Sequence, residues 1–124
     1  MTIGAREALD RLRAALDAGE LDPDLEALHV DLMSAFGSVA RRHSDANSEP
    51  ADLDIGVRFD GPVRLLEVVN LLVDTTGYDN IDVAVVTGEH PVLDAEAMGG
   101  IPLYERVSGA FAEAQMAAIG HLWD

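Results

Sequence analysis

Neither cysteine nor lysine occurs in this 124-residue chain, and aromatic side chains make up only 5% of it. Without cysteine there is no disulfide framework, no thiolate metal site and no cysteine nucleophile, and a reducing cytoplasm is the expected setting. Without lysine, every cationic task falls to eight arginines, which face 23 acidic residues for a formal net charge of −15. Such a field repels free nucleic acid and anionic membrane, so no direct nucleic-acid partner is expected. The same field fits either solvation in high salt or attraction to a cationic partner. Long hydrophobic runs are missing too. Nothing approaches the roughly 18 to 20 apolar residues of a membrane span, and the opening residues from Met1 to Glu7 meet charge before an apolar run develops, so neither membrane insertion nor secretion is expected.

What is present reads as one domain over residues 1–124, large enough to bury roughly two-thirds of the surface its unfolded chain exposes. Between residues 5 and 18, Ala5, Ala8, Leu9, Leu12, Ala15 and Leu16 recur at spacings of three and four, which predicts an amphipathic helix stopped by Gly19. Asp22-Pro23 signals a short second helical turn. Val30 to Phe36 reads as a strand that breaks at Gly37-Ser38 and gives way to a helix at Val39. The polar, proline-containing residues 44–51 read as an exposed connection. In the strand from Leu53 to Phe59, apolar residues alternate with Asp52, Asp54, Gly56 and Arg58, which puts both carboxylates on one face. Gly61-Pro62 opens a helix with an apolar stripe of Leu65, Leu66, Val69, Leu72 and Val73, closed by Gly77. Ile81 to Val86 is a third strand, 91–98 a short helix, Ile101 to Glu105 a short strand, and Val107 to Ile119 a final helix. Strands interleaved with helices predict an α/β or α+β sandwich, with strand order left open.

Three features carry chemistry. Gly37-Ser38 stands where a strand turns, a place where backbone amides and a hydroxyl can hold phosphate, although an ordinary capped turn has the same look. Asp52 and Asp54 project together and could share a hard cation such as magnesium; exposure on a solvated strand face is the alternative remedy for their repulsion. Asp82 interrupts the apolar run Ile81 to Val86, where a charge is costly unless paired, metal-bound or at the sheet edge. A phosphate-holding turn, paired carboxylates on one strand and a third carboxylate on another make up a two-metal phosphoryl-transfer set. The four histidines lack the spacing of a helical zinc pair, Ser38 lacks a hydrolase elbow, and Tyr104 reads as a packing residue. Trp123 could anchor the tail or a partner.

Taken together, Gly37-Ser38-Val39-Ala40-Arg41, Asp52-Leu53-Asp54 and Ile81-Asp82-Val83 resemble the polymerase-beta-like nucleotidyltransferases, in particular the minimal nucleotidyltransferase (MNT) family, and Gly100 to Glu105 looks like that family's late strand. The likeness runs from about Val30 to Glu105. It departs in the connection from Arg42 to Ala51, because thirteen residues separate Ser38 from Asp52 where about ten are usual. The resemblance implies a short mixed sheet flanked by helices, Mg2+ or Mn2+ held by Asp52, Asp54 and Asp82, and transfer of a nucleoside monophosphate, AMP from ATP, to a hydroxyl. Gly37, Ser38 and Arg41 would bind the nucleotide's phosphates. It further implies an antitoxin acting on a tyrosine of a HEPN-type toxin. A small-molecule acceptor of the aminoglycoside kind and neutralisation by masking without turnover are the competing readings. The acceptor, the base and whether the protein forms an oligomer cannot be read from the residues.

Overall fold

The computed structural model describes residues 3–41, 50 and 52–123. The predicted connection over residues 44–51 lies, apart from Pro50, outside the described residues, as does the side chain of Trp123. Five helices, α1 (Ala5–Asp17), α2 (Asp22–Ala27), α3 (Leu65–Thr76), α4 (Pro91–Met98) and α5 (Ala110–Trp123), surround four strands, β1 (Val30–Phe36), β2 (Leu53–Phe59), β3 (Ile81–Val85) and β4 (Ile101–Glu105).

The six apolar positions of the first helix are the six that α1 buries. Its end is set by Gly19, which takes a left-handed φ of 74°, while Glu20 N–H donates to the Ala15 carbonyl and Gly19 N–H to that of Leu16. This pair of bonds absorbs carbonyls that the last helical turn cannot satisfy. In α3 the outcome differs from the periodicity. Leu65 and Leu66 are 41% and 68% exposed, whereas Val68, Leu72 and Thr76 are the buried residues. The chain from Gly61 to Arg64 is not helical, so the helix starts later and turns its Val68–Leu72–Thr76 face inward. The final helix is also displaced, beginning at Ala110, because the Glu105 carboxylate accepts the N–H groups of Gly109 and Phe111 and fixes the turn before it.

The sheet order is β3-β2-β1-β4. β1 runs antiparallel to β2 and β4, and β2 pairs with β3 in parallel, which requires the crossover that α3 supplies. The sheet is mixed, as the family resemblance implies. One face carries Met33, Ala35, Leu53, Ile55, Val57 and Ile81 into the larger core against α1 and α3. The other packs Leu32, Phe36 and Val86 against Ala97 and Met98 of α4 and Phe111 and Ala118 of α5. Gly56 lies in the middle of this second face, and a Cβ there would sit 2.8 Å from both the Ala97 Cβ and the Ser34 Oγ. Its missing side chain lets α4 close on the sheet.

Candidate active site

Asp52, Asp54 and Asp82 meet at one end of the face that α4 and α5 cover only in part. The parallel register sets Asp54 opposite Asp82, and Asp52 stands on the same side one pleat earlier. One carboxylate oxygen from each of the three lies within 4.8 Å of the others. Asp52 and Asp54 are half-buried and Asp82 is exposed.

Of the three circumstances that make a charge tolerable in the apolar run Ile81 to Val86, the sheet edge holds: β3 is an edge strand and Asp82 is exposed, so it avoids the desolvation cost of a core carboxylate. What distinguishes Asp82 is company. A hydrogen bond with the Asp52 side chain, then partial desolvation and the Asp52 charge, raise its pKa above the ordinary aspartate value. Asp54 is raised as well, first by burial, then by the charges of Asp52 and Asp82; Arg41 opposes this and Glu96 adds to it. Asp52 acts on both of its neighbours and Asp82 on Asp54, which makes the three carboxylates a site with a deficit of positive charge.

The turn after β1 is shaped by the same cluster. Gly37 has a φ of 72°, and a Cβ there would fall inside the Asp54 Oδ2 atom. Glycine is therefore required twice, by the backbone and by the carboxylate packed against it. The helix expected from Val39 onward does not form. Gly37–Ala40 makes a single 3-10 turn, and Arg41 is already extended at φ −81°, ψ 130°. So short a turn has no appreciable macrodipole, so only the turn's own amides and the Ser38 hydroxyl could meet an anion there.

One residue near the cluster escapes sequence reasoning. Glu96 comes from α4, whose placement over the sheet no local pattern reveals, and its charge acts on Asp54. With Gly37, Ala40, Arg41 and Gly100 it lines a cavity of about 240 Å³ beside the turn. Arg58, on the same face as Asp54 by alternation, belongs to a different contact: its Nε and Nη2 donate to the Asp31 carboxylate at 3.0 Å each. Asp31 reaches it from a bulge in β1 between Val30 and Leu32.

The fold, a mixed sheet with helices on both faces, is shared with chains in solved toxin-antitoxin structures. The toxin-antitoxin structure with AMP-PNP contains a chain that superimposes with a TM-score of 0.61 at 16% identity, over 85% of this chain and 86% of that one. A complex of tri-AMPylated Shewanella oneidensis HEPN toxin with MNT antitoxin matches with a TM-score of 0.59 at 14% identity, over 87% of this chain and 85% of that one. The toxin-antitoxin MntA-HepT matches with a TM-score of 0.58 at 17% identity, over 87% and 86%. At such identities the shared property is the fold. No family model matches the chain, and no curated protein does. Among the described residues no helix is long and apolar enough to cross a membrane.

Proposed function

We propose that this protein is a minimal nucleotidyltransferase that moves AMP from ATP to a hydroxyl on a protein partner, and that it acts as an antitoxin. The observation that carries the reading is the convergence of Asp52, Asp54 and Asp82 on an open face beside the Gly37 turn. Structures of like fold add weight, one holding AMP-PNP and another a tri-AMPylated HEPN toxin beside its MNT antitoxin.

The donor set suits Mg2+ or Mn2+: three carboxylates within reach of one another, each raised or raising, are hard oxygen ligands with unbalanced negative charge. Asp52, Asp54 and Asp82 would hold the cation, whose chemistry when bound would be Lewis-acid polarisation of a phosphoryl oxygen and a lowered pKa for the attacking hydroxyl. The remaining work falls to the chain. The amides of the Gly37–Ala40 turn and the Ser38 hydroxyl orient the outer phosphates, and Arg41 offsets charge gathering on the leaving pyrophosphate. The acceptor oxygen bonds to the α-phosphorus as the bond from that phosphorus to the pyrophosphate oxygen breaks, and the hydroxyl proton passes to Asp82. Its exposed place on an edge strand lets a folded partner approach. A docked surface would then exclude water that so open a site admits.

The test is intact-mass analysis of the toxin partner after incubation with ATP and Mg2+. The wild type is expected to add about 329 Da per transferred AMP, and Asp82→Ala to add none while still binding the partner. Silencing of the toxin without added mass, equally by wild type and Asp82→Ala, would replace catalysis with masking.

A further inference from the structure

At the opposite end of the same face lies a second cleft, of about 350 Å³, within the size range of small-ligand sites. Its walls are Val85, Val86, Met98 and Ala117, with His121 among the lining residues and Asp94 of α4 also reaching it. Asp94 is only 3% exposed. Its Oδ2 accepts the Gly88 N–H at 2.9 Å, whereas Oδ1 is buried with no hydrogen-bond partner among the described residues. Arg58, the arginine that also lines the cleft, is already paired with Asp31.

A buried carboxylate oxygen without a donor is expensive, and a donor carrying positive charge relieves it best. A metal ion is a poor fit, because Asp94 is the cleft's one carboxylate and divalent ions demand several oxygens. Aliphatic walls call instead for a ligand with an apolar stem. We propose that this cleft binds an alkylguanidinium or alkylammonium group, its stem along Val85, Val86, Met98 and Ala117 and its head donating to Asp94 Oδ1. Oδ1 is screened from solvent, so entry requires a rotamer change in a neighbour, for which the unbranched Met98 is suited. The site stands apart from the carboxylate triad: Arg58 is four strand residues beyond Asp54, about 13 Å at 3.3 Å per residue. The excess of fifteen negative charges concentrates cations around the molecule without choosing where they settle.

The full chain would be titrated with n-butylguanidinium, n-butylammonium and neutral n-butanol, following the Gly88 amide and the His121 ring by NMR. Saturable shifts are expected with both cations at concentrations at least tenfold below those n-butanol needs. Asp94→Asn retains an oxygen for the Gly88 N–H and should weaken cation binding at least tenfold. Ala117→Phe, which fills the cleft and leaves Asp94 intact, should do the same. Binding of blocked arginine, N-acetyl-arginine methylamide, would assign the source to a protein side chain; binding of the butyl cations alone would assign it to a free amine or guanidine. If n-butanol binds as tightly as the cations, or if folded Asp94→Asn binds them as well as wild type does, the assignment is wrong and the attraction belongs to the acidic surface at large.

Discussion

At the scale of single residues, Asp54 gathers several unfavourable interactions at one carboxylate. It is pressed against the α-carbon of Gly37, partly desolvated, and flanked by Asp52, Asp82 and Glu96, with the charge of Arg41 opposing them. Its folded-state pKa is raised, and so is that of Asp82. A raised carboxylate contributes stability that is fully present below the unfolded value near 3.8 and is lost as pH rises through the folded value. Without metal, the protein at neutral pH therefore carries an uncompensated repulsion. Asp54→Asn is expected to raise metal-free stability at pH 7 and low salt by on the order of 1 kcal/mol. That advantage should shrink as pH falls toward about 4, because the wild type then takes up the proton the variant never needed. Urea denaturation at several pH values checks both statements. Saturating Mg2+ and ATP should reverse the order, since only the wild type gains from binding. A variant that is less stable than wild type at every pH without metal would make Asp54 a structural group. The pairing of Asp52 with Asp54 is legible in the sequence because alternation is local. Asp82's register opposite Asp54 and the approach of Glu96 are not, because both depend on strand order and on where α4 lands.

At the scale of elements, local chemistry predicts well wherever one pattern decides the outcome. The inward face of α1 and the alternation of β2 follow directly from residue spacing. Patterns fail where apolar residues outnumber the buried positions, as in α3. Leu65, Leu66, Val69, Leu72 and Val73 offer one stripe, but the packing selects Val68 and Leu72. Leu72→Ala is expected to cost about 2 to 5 kcal/mol, while Leu66→Gln should stay within about 0.5 kcal/mol of wild type. Thermal or chemical unfolding distinguishes the two, and equal costs would mean that the face chosen by α3 is wrong. The turn at Gly37 shows a different limit. Strand, glycine, serine and a following apolar residue suit a helix start, but nothing in that run of residues reports that the chain extends again at Arg41.

At the scale of the whole molecule, the acidic excess sets the response to solvent. With fifteen surplus negative charges, self-repulsion opposes the compact state at low ionic strength, and salt screens it over a Debye length of about 10 Å at 0.1 M. The melting temperature is expected to rise between about 20 and 500 mM NaCl and then level off at concentrations where screening is complete. A melting temperature that keeps climbing into molar salt would point to solvation in high salt as the source of the acidic composition, and one that falls would mean that specific ion pairs outweigh the repulsion. The parallel pairing of β2 with β3 bears on time as well as on charge. Asp52 and Asp54 are neighbours from the moment their strand is extended, but Asp82 joins them only when β3 docks after the α3 crossover, on an edge with no further strand outside it among the described residues. In the apo protein, release of β3 relieves carboxylate repulsion, so its amides should exchange with solvent through local opening ahead of those in β1 and β2. With the proposed cation bound, Asp82 would be tied to the two strands' shared centre, and β3 is then expected to exchange only when the rest of the sheet comes apart.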